Sequence, residues 1–395
     1  MKNQSKGNGV SRRQFLGTSA AAAAVLSVGP LSYQCSTAVK EEGSKFNGVQ
    51  IGAITYSFRA LDPGIENVLK ACVDAGVSSI ELMSNGIETW CGAPAVTRAP
   101  RRPGTQGGPG GMPGGAAPAG AAPAGAAPAA AAPAAAAPAA AQQRQAAPAA
   151  AAGAPPAGMG QQQQQPVLTE EEYAAAEKLQ AEQEAALSAW RASAPVEKFA
   201  ELAKMFRDAG VDIHMVKWSP GSWSDADIDY AFKVTQAMGV KAITDELSEA
   251  NATKLGPFAE KWGMYAVMHN HAQFAQEGFS VDPMLNVSPA VMLNFDIGHY
   301  QGSTGLDPLE FIKAHQDRIF SLHLKDKTLP TTEPPNANQV WGQGQTSLKE
   351  VLLYLRDNQV PIYCDIELEY PIAAWSNSVK ETNTCVKYAR QILLS

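Results

Sequence analysis

The sequence predicts an α/β protein, a single (β/α)8 TIM barrel with a disordered Ala/Pro/Gly-rich insertion after the second strand. Eight short apolar runs alternate with helical stretches, which is the pattern of a parallel sheet with crossover helices. Three of the helical stretches end in Gly-Val, where the Gly takes the left-handed position that closes a helix and the Val opens the next strand. Without the segments of atypical composition, roughly 250 residues remain, the usual size of one such barrel.

The composition of the chain divides it into five segments. Of its 395 residues 45% are hydrophobic but only 7% are aromatic, because one stretch of Ala, Pro and Gly distorts the average. We expect a signal and tether over 1–46, the first part of the barrel over 47–91, a low-complexity insertion over 92–166, a charged helical extension over 167–192 and the remaining barrel over 193–395. Repeated Ala-Ala-Pro blocks in the insertion can neither bury a core nor continue a helix past each Pro.

The N-terminus resembles a twin-arginine export signal. Arg12-Arg13 lies shortly before the apolar stretch Ala20–Val28. Such a signal directs export and is not part of the folded structure. The expected location is therefore periplasmic or exported. Cys35 is a candidate lipid anchor, although Tyr33-Gln34 before it fits a lipidation motif poorly. No apolar segment has the length and flanks of a membrane-spanning helix.

Charge and cysteine content exclude further classes. A formal net charge of −7 argues against a nucleic-acid groove, which needs a basic stripe. The cysteines of the barrel region form no CxxC pair, so we expect buried core thiols rather than a zinc motif. They are Cys72, Cys91, Cys364 and Cys385.

The strand and helix boundaries follow from the apolar patterns. The predicted strands are Ile51–Phe58, Ser78–Leu82, Val211–Trp218, Lys241–Leu247, Tyr265–His271, Val291–Asp296, Ile319–Asp326 and Pro361–Leu368. The predicted helices include Glu66–Ala75, Val196–Ala209, Asp225–Met238 and Pro308–Ala314. Thr169 and Glu172 predict a capping box at the start of the charged helix.

Imidazoles and carboxylates concentrate at the ends of the later strands. All of these ends open on one face of a (β/α)8 barrel, so residues distant in sequence converge there. A mixed set of imidazole and carboxylate ligands suits one divalent metal ion, Mn, Co, Zn or Mg, rather than a soft thiolate site. The residues concerned are His269, His271, His299, His323, Glu246, Asp296, Asp365, Glu367 and Glu369.

Three motifs resemble the sugar phosphate isomerase/epimerase family, which has the xylose-isomerase-like barrel. They are Asp296-Ile297-Gly298-His299, Leu322-His323-Leu324-Lys325-Asp326 and Asp365-Ile366-Glu367-Leu368-Glu369, and the similarity spans about 50–91 and 195–393. The resemblance implies a metal held by Asp296, His323, Glu367 and an acidic residue of the fourth or fifth strand. At this fourth position the chain departs from the family, because His269-Asn270-His271 replaces the usual carboxylate. Either His269 is the ligand, or Glu246 supplies the charge and the histidines face the substrate.

The resemblance also implies a reaction. A metal-dependent isomerase or epimerase moves a proton beside a carbonyl through an enediolate, here on a free or glycosidic sugar, 3-keto sugars included. Glu246 and Glu367 are candidate bases, His271 and His299 are candidates to move protons or hold hydroxyls, and Lys325 is a candidate to bind an anionic oxygen. The expected partner is a small-molecule sugar. The oligomeric state, the sugar and the metal are not predicted.

Three alternative functions remain. If the enediolate expels a β-substituent, the protein is a 3-keto-glycoside lyase or hydratase. A non-catalytic periplasmic module could bind sugar rings through Trp218, Trp223 and Trp341. An endonuclease IV-like phosphodiesterase would need additional histidines on the first two strands, which the sequence does not have.

Overall fold

The computed structural model describes residues 43–62, 64–100, 102 and 168–395. The predicted export signal, the candidate lipid anchor Cys35 and most of the predicted insertion lie outside these residues. Within the described ranges, no helix combines the length and the apolar character needed to cross a bilayer.

Eight parallel strands form a closed barrel, which confirms the predicted fold. β1 and β2 pair directly, and β1 also pairs with β8, so that the sheet has no free edge. The strands are β1 (Val49–Ile54), β2 (Ser79–Met83), β3 (Asp212–Lys217), β4 (Ala242–Glu246), β5 (Tyr265–His269), β6 (Val291–Asp296), β7 (Ile319–Leu324) and β8 (Tyr363–Ile366). Short antiparallel pairings extend the barrel at Lys45–Phe46, which pairs with β1, and join Asp326–Lys327 to Asn338–Gln339 after β7.

Helices follow the strands and cover the outside of the barrel. For example, α4 packs on β3, and α6 packs on β5 and β6. The largest side chains between helices and strands include Phe199, Phe206 and Phe232, which are completely buried. The helices are α1 (Ile65–Ala75), α2 (Asn85–Trp90), α3 (Glu170–Arg191), α4 (Val196–Asp208), α5 (Asp225–Ala237), α6 (Glu249–Trp262), α7 (Asp282–Leu285), α8 (Ile297–Thr304), α9 (Pro308–His315), α10 (Leu348–Asp357) and α11 (Ser378–Leu393).

Local signals in the sequence are confirmed at several helix ends. Gly76, Gly210 and Gly239 have φ of 73°, 80° and 80°, the left-handed conformation predicted for them.

The four cysteines of the barrel region are buried free thiols. Burial raises the pKa of the Cys72 thiol to about 12, so this sulfur is not poised as a nucleophile.

Four predicted strands end two or more residues too late. The run after β1 turns into a 3₁₀ helix at Thr55–Phe58, and β5 ends at His269 instead of His271. β7 and β8 likewise end at Leu324 and Ile366, two residues before the predicted ends. Residues that follow these strands, such as Phe58, Lys325 and Leu368, are as buried as the strands themselves, so burial does not mark where each strand ends.

The described residues fall into two compact units, the barrel with 179–395 and 43–98, and a second unit within 99–178. In the second unit, Thr169 and Glu172 form the predicted capping box. The Thr169 backbone N–H donates to Glu172 Oε2 at 2.7 Å, and the Glu172 N–H donates to Thr169 Oγ1 at 3.2 Å. Arg102 lies over the ring of Tyr173 and donates from Nε to Glu177 Oε1 at 3.0 Å.

The closure between β1 and β8 depends on the absence of a side chain at Gly52. A Cβ there would lie 2.2 Å from Asp365 Oδ1 and 3.0 Å from the Ser79 carbonyl oxygen. We therefore expect Gly52→Ala to lower the free energy of unfolding by about 2 kcal/mol. Urea denaturation measures the change. Gly64→Ala is the control, because its Cβ would meet nothing closer than 3.5 Å and should cost less than about 1 kcal/mol. Equal losses in the two variants would contradict the steric explanation.

Candidate metal centre

Strand ends bring together the four predicted metal ligands. His269 and Asp296 are the last residues of β5 and β6, His323 is the penultimate residue of β7, and Glu367 directly follows β8. The strand register places Asp296 beside His323. One ligand atom of each of the four side chains lies within 4.8 Å of those of the other three, and all four side chains are buried.

Buried atoms without a well-formed hydrogen bond indicate that this cluster fits a cation, and the ammonium of Lys325 lies 2.9 Å from two of them, Asp296 Oδ2 and Glu367 Oε2. His269 Nδ1 and Nε2, Asp296 Oδ2, His323 Nδ1 and Glu367 Oε2 are buried, and none of them forms a hydrogen bond of good geometry with the described residues. Buried polar atoms normally have a partner. Two imidazoles and two carboxylates are a suitable donor set for a divalent ion such as Zn²⁺, Mn²⁺ or Co²⁺.

A hydrogen bond to the backbone orients Asp296. Its Oδ1 accepts from the His299 N–H at 2.8 Å and so caps the first turn of α8. Its other oxygen, Oδ2, is thereby turned towards His269 Nε2, 3.6 Å away. One oxygen of this carboxylate therefore caps α8, and the other faces the cluster of proposed ligands.

Lys325 balances the charge of the carboxylates. Its Nζ lies 2.9 Å from Asp296 Oδ2, 2.9 Å from Glu367 Oε2 and 2.7 Å from Glu369 Oε2. Burial alone would lower the pKa of Lys325, but the three carboxylates outweigh burial and raise it. Burial would likewise raise the pKa of Asp296, but the charge of Lys325 holds it well below its usual range.

Glu246 contacts the opposite side of His269. Its Oε2 lies 3.5 Å from His269 Nδ1, while the other ring nitrogen of His269 points to Asp296. The same carboxylate accepts from Lys217 Nζ at 2.9 Å and lies 2.9 Å from His271 Nε2. Burial would raise the pKa of Glu246, but Lys217 and the two histidines lower it strongly.

His271 and His299 form the open edge of the site. Their rings are 4.9 Å apart, and their side chains are 24% and 14% exposed, whereas His269 and His323 are buried. Burial and the positive charge of Lys325 hold the pKa of His299 well below its usual value, so its imidazole is neutral at pH 7. A substrate that reaches the cluster would meet these two imidazoles first.

Glu81, a buried carboxylate of the barrel interior, was missed by the sequence analysis. Glu81 of β2 lies under His323, with its Oε2 2.6 Å from His323 Nε2. Burial would raise the pKa of Glu81, but the charge and hydrogen bond of His323 lower it to about 2. A charged residue in the middle of the otherwise apolar strand Ser79–Met83 was the available signal.

Asp365 is not one of the four proposed ligands, although it pairs with His323 in the strand register and one of its oxygens lies within 4.8 Å of ligand atoms of His323 and Glu81. Its Oδ2 lies 2.9 Å from His214 Nε2, and Ser79 Oγ lies 2.9 Å from His214 Nδ1. His214 and Asp365 are buried inside the barrel. This polar group is therefore part of the barrel interior and not of the open edge.

The three tryptophans considered for sugar stacking take part in packing. Trp218 and Trp341 are buried. Trp218 donates from Nε1 to Thr235 Oγ1 at 2.7 Å, and the guanidinium of Arg191 lies 3.7 Å from the ring centroid of Trp223. These contacts weaken the support for a sugar-binding module built on them.

One protein-family model matches just over half of the chain. The family model described as "Xylose isomerase-like TIM barrel" matches residues 183–385. The chain belongs to this family. None of the curated proteins compared with the chain gives a significant match.

Among solved structures, the chain is similar to a sugar phosphate isomerase/epimerase from Parabacteroides distasonis, at 13% identity and a TM-score of 0.47, covering 88% of this chain and 96% of that one. It is also similar to the probable 3-DHS dehydratase AsbF from Bacillus anthracis, at 11% identity and a TM-score of 0.48, with 86% and 98% covered. A third is the 3-keto-D-glucoside 4-epimerase YcjR from E. coli, at 12% identity and a TM-score of 0.39, with 50% and 85% covered. None of these similarities is strong enough to assign a reaction.

The charge balance at Lys325 gives a stability prediction. Lys325→Met leaves three neighbouring carboxylates without their buried cation, so we expect a loss of about 3–5 kcal/mol of unfolding free energy in the presence of EDTA. Added Co²⁺ should recover part of that loss, because it would replace the missing positive charge. Lys254→Met removes an exposed ion pair and should change stability by less than about 1 kcal/mol. Unchanged stability of Lys325→Met, measured by urea unfolding, would contradict this account.

Proposed function

We propose that the protein is a divalent-metal-dependent isomerase or epimerase that acts beside the carbonyl of a free or glycosidic sugar, 3-keto sugars included. The observation that carries the proposal is the convergence of His269, Asp296, His323 and Glu367 at the strand ends where active sites of this fold lie, with buried ligand atoms that lack well-formed hydrogen bonds. Membership of the xylose isomerase-like family supports it.

We assign His269, rather than Glu246, as the fourth metal ligand. His269 Nε2 faces Asp296 Oδ2, while Glu246 lies on the other ring nitrogen and has Lys217 and His271 as partners. A divalent ion in this cluster would supply Lewis acidity, which draws electron density from a carbonyl oxygen and makes the adjacent proton easier to remove.

The accessible histidines are the groups proposed to move the proton. His271 is the most exposed of the site histidines, and its contact with Glu246 at 2.9 Å fixes the Nε2 side of the ring and leaves Nδ1 for substrate. His299 is neutral and lies across from it, so it can accept a proton or hold a hydroxyl. Glu246, which is held ionised by Lys217, then acts by orienting His271 and not as the base itself.

Lys325 is proposed to stabilise negative charge on a substrate oxygen. Its ammonium stays protonated in contact with Asp296, Glu367 and Glu369. A fixed positive charge in a buried site costs no reorganisation when negative charge develops nearby. Glu367, whose pKa is held well below its usual range despite burial, acts in this scheme as a ligand and not as a base.

Metal content tests the assignment of the centre. We expect about one Mn, Co, Zn or Mg ion per chain in the purified protein, and less than about one tenth of that content in Asp296→Ala and Glu367→Ala. Elemental analysis of folded protein gives both values. Asp365→Asn is the matched control, since this buried carboxylate lies two residues from Glu367 and pairs with His214 instead. Normal metal content in both alanine variants would overturn the site.

Proton exchange tests the reaction. The wild type should incorporate deuterium from D₂O at carbons beside the carbonyl of ketoses or 3-keto-glycosides, followed by NMR. His271→Asn should slow exchange by roughly 10²–10⁴-fold without loss of metal, because general acid–base catalysis is worth about that factor. Exchange at the wild-type rate in the variant would exclude His271 as the group that moves the proton. Release of an alcohol together with exchange would identify elimination as the reaction.

A further inference from the structure

The far side of His323 is occupied by a second carboxylate. His323 Nδ1 faces Glu367 Oε2 at 2.8 Å, inside the candidate metal centre, while Nε2 lies 2.6 Å from Glu81 Oε2. Glu81 comes from β2, on the other side of the barrel from β7, and both side chains are completely buried. The imidazole therefore stands between two carboxylates, only one of which belongs to the cluster of proposed ligands.

The carboxylate determines which way the hydrogen bond runs, because an ionised carboxylate oxygen only accepts. Glu81 Oε2 accepts from Asn294 Nδ2 at 3.0 Å and lies 2.6 Å from His323 Nε2, closer to that nitrogen than Asn294 Nδ2, which is 3.0 Å away. His323 Nε2 therefore carries a hydrogen and donates it to Glu81. An imidazole coordinates a metal only through a nitrogen without hydrogen, and the hydrogen bond of the other nitrogen determines which one that is.

We propose that Glu81 is a positioning residue of the metal centre, which keeps the hydrogen of His323 on Nε2 and directs Nδ1 to the metal. The inference rests on the proposed function, since it presupposes the metal centre. Glu81 acts in two ways. Its contact fixes the plane of the ring, and its negative charge makes the imidazole a stronger donor to a cation.

A second buried carboxylate–imidazole pair in the same barrel contains no proposed metal ligand. Asp365 and His214 form an equally buried carboxylate–imidazole contact at 2.9 Å. The other nitrogen of His214 faces Ser79 Oγ and not a cluster of ligands. Asp365 neighbours His323 in the strand register but pairs with His214, and its removal leaves the four proposed ligands and Glu81 in place. Asp365→Asn is therefore a control for the loss of a nearby buried charge that does not accept from His323.

The experiment measures Co²⁺ affinity and the visible absorption of bound Co²⁺ in the full-length protein. We expect Glu81→Gln to bind about 10-fold more weakly than the wild type, and Glu81→Leu, which has no acceptor, up to about 100-fold more weakly. At saturating Co²⁺ the absorption bands of both variants should shift, because the imidazole donor has changed. A general loss of stability would not alter the bands of the metal-bound form. Asp365→Asn should keep wild-type affinity within about twofold and the wild-type bands.

The outcomes separate the inference from the function on which it rests. Wild-type Co²⁺ binding together with wild-type affinity and bands in Glu81→Gln and Glu81→Leu would overturn the role of Glu81 alone. An equal loss in Asp365→Asn would also overturn it, since any buried charge would then have the same effect. Absence of Co²⁺ binding by the wild type would overturn the metal centre itself. If Glu81→Leu does not fold, the affinity and bands of Glu81→Gln decide.

Discussion

The concentration of buried carboxylates at one end of the barrel is the constraint on which the rest of the site depends. Closing eight parallel strands brings Asp296, Glu367 and Glu369 to the same place, and their charges cannot all remain there without compensation. Lys325 supplies one positive charge and the protonated form of His323 supplies another, since burial is outweighed by Glu367 and Glu81 and the pKa of His323 is raised well above its usual value. A divalent ion and a protonated His323 are therefore alternative ways to neutralise the same cluster.

The sequence was sufficient for the barrel because its signals are local. The alternation of apolar runs and amphipathic helices, and Gly-Val pairs such as Gly76-Val77, depend on neighbouring residues alone. The ends of strands were predicted less well, since loop residues such as Leu368 are as buried as the strands that precede them. β8 ends at Ile366 where its neighbour β1 gives way to the 3₁₀ helix Thr55–Phe58, and the Ser57 hydroxyl takes over the Ile366 carbonyl and the Leu368 N–H, which is a property of the closed sheet.

The candidate site was predictable only where its residues occur in compact motifs. Asp296, His323 and Glu367 lie at or directly after the ends of three consecutive strands, β6, β7 and β8, and were predicted together. Glu81 was missed because its relation to His323 crosses the barrel between strands 242 positions apart in the chain. The choice between His269 and Glu246 was also open, since it depends on which ring nitrogen faces which carboxylate. Only the orientation of one imidazole between β4 and β6 shows that.

Burial divides the site into layers with different capabilities. Glu81 and His323 are fully enclosed, so they can hold charge and orientation but cannot meet a substrate. His271 and His299 are partly exposed above them and can. Such separation is physically useful, because the inner groups keep their positions through contacts that solvent does not disturb, while the outer imidazoles lie within reach of a substrate. The proposed function therefore assigns proton transfer to the outer histidines, and it gives the inner carboxylates a role through the positions and charges that they fix.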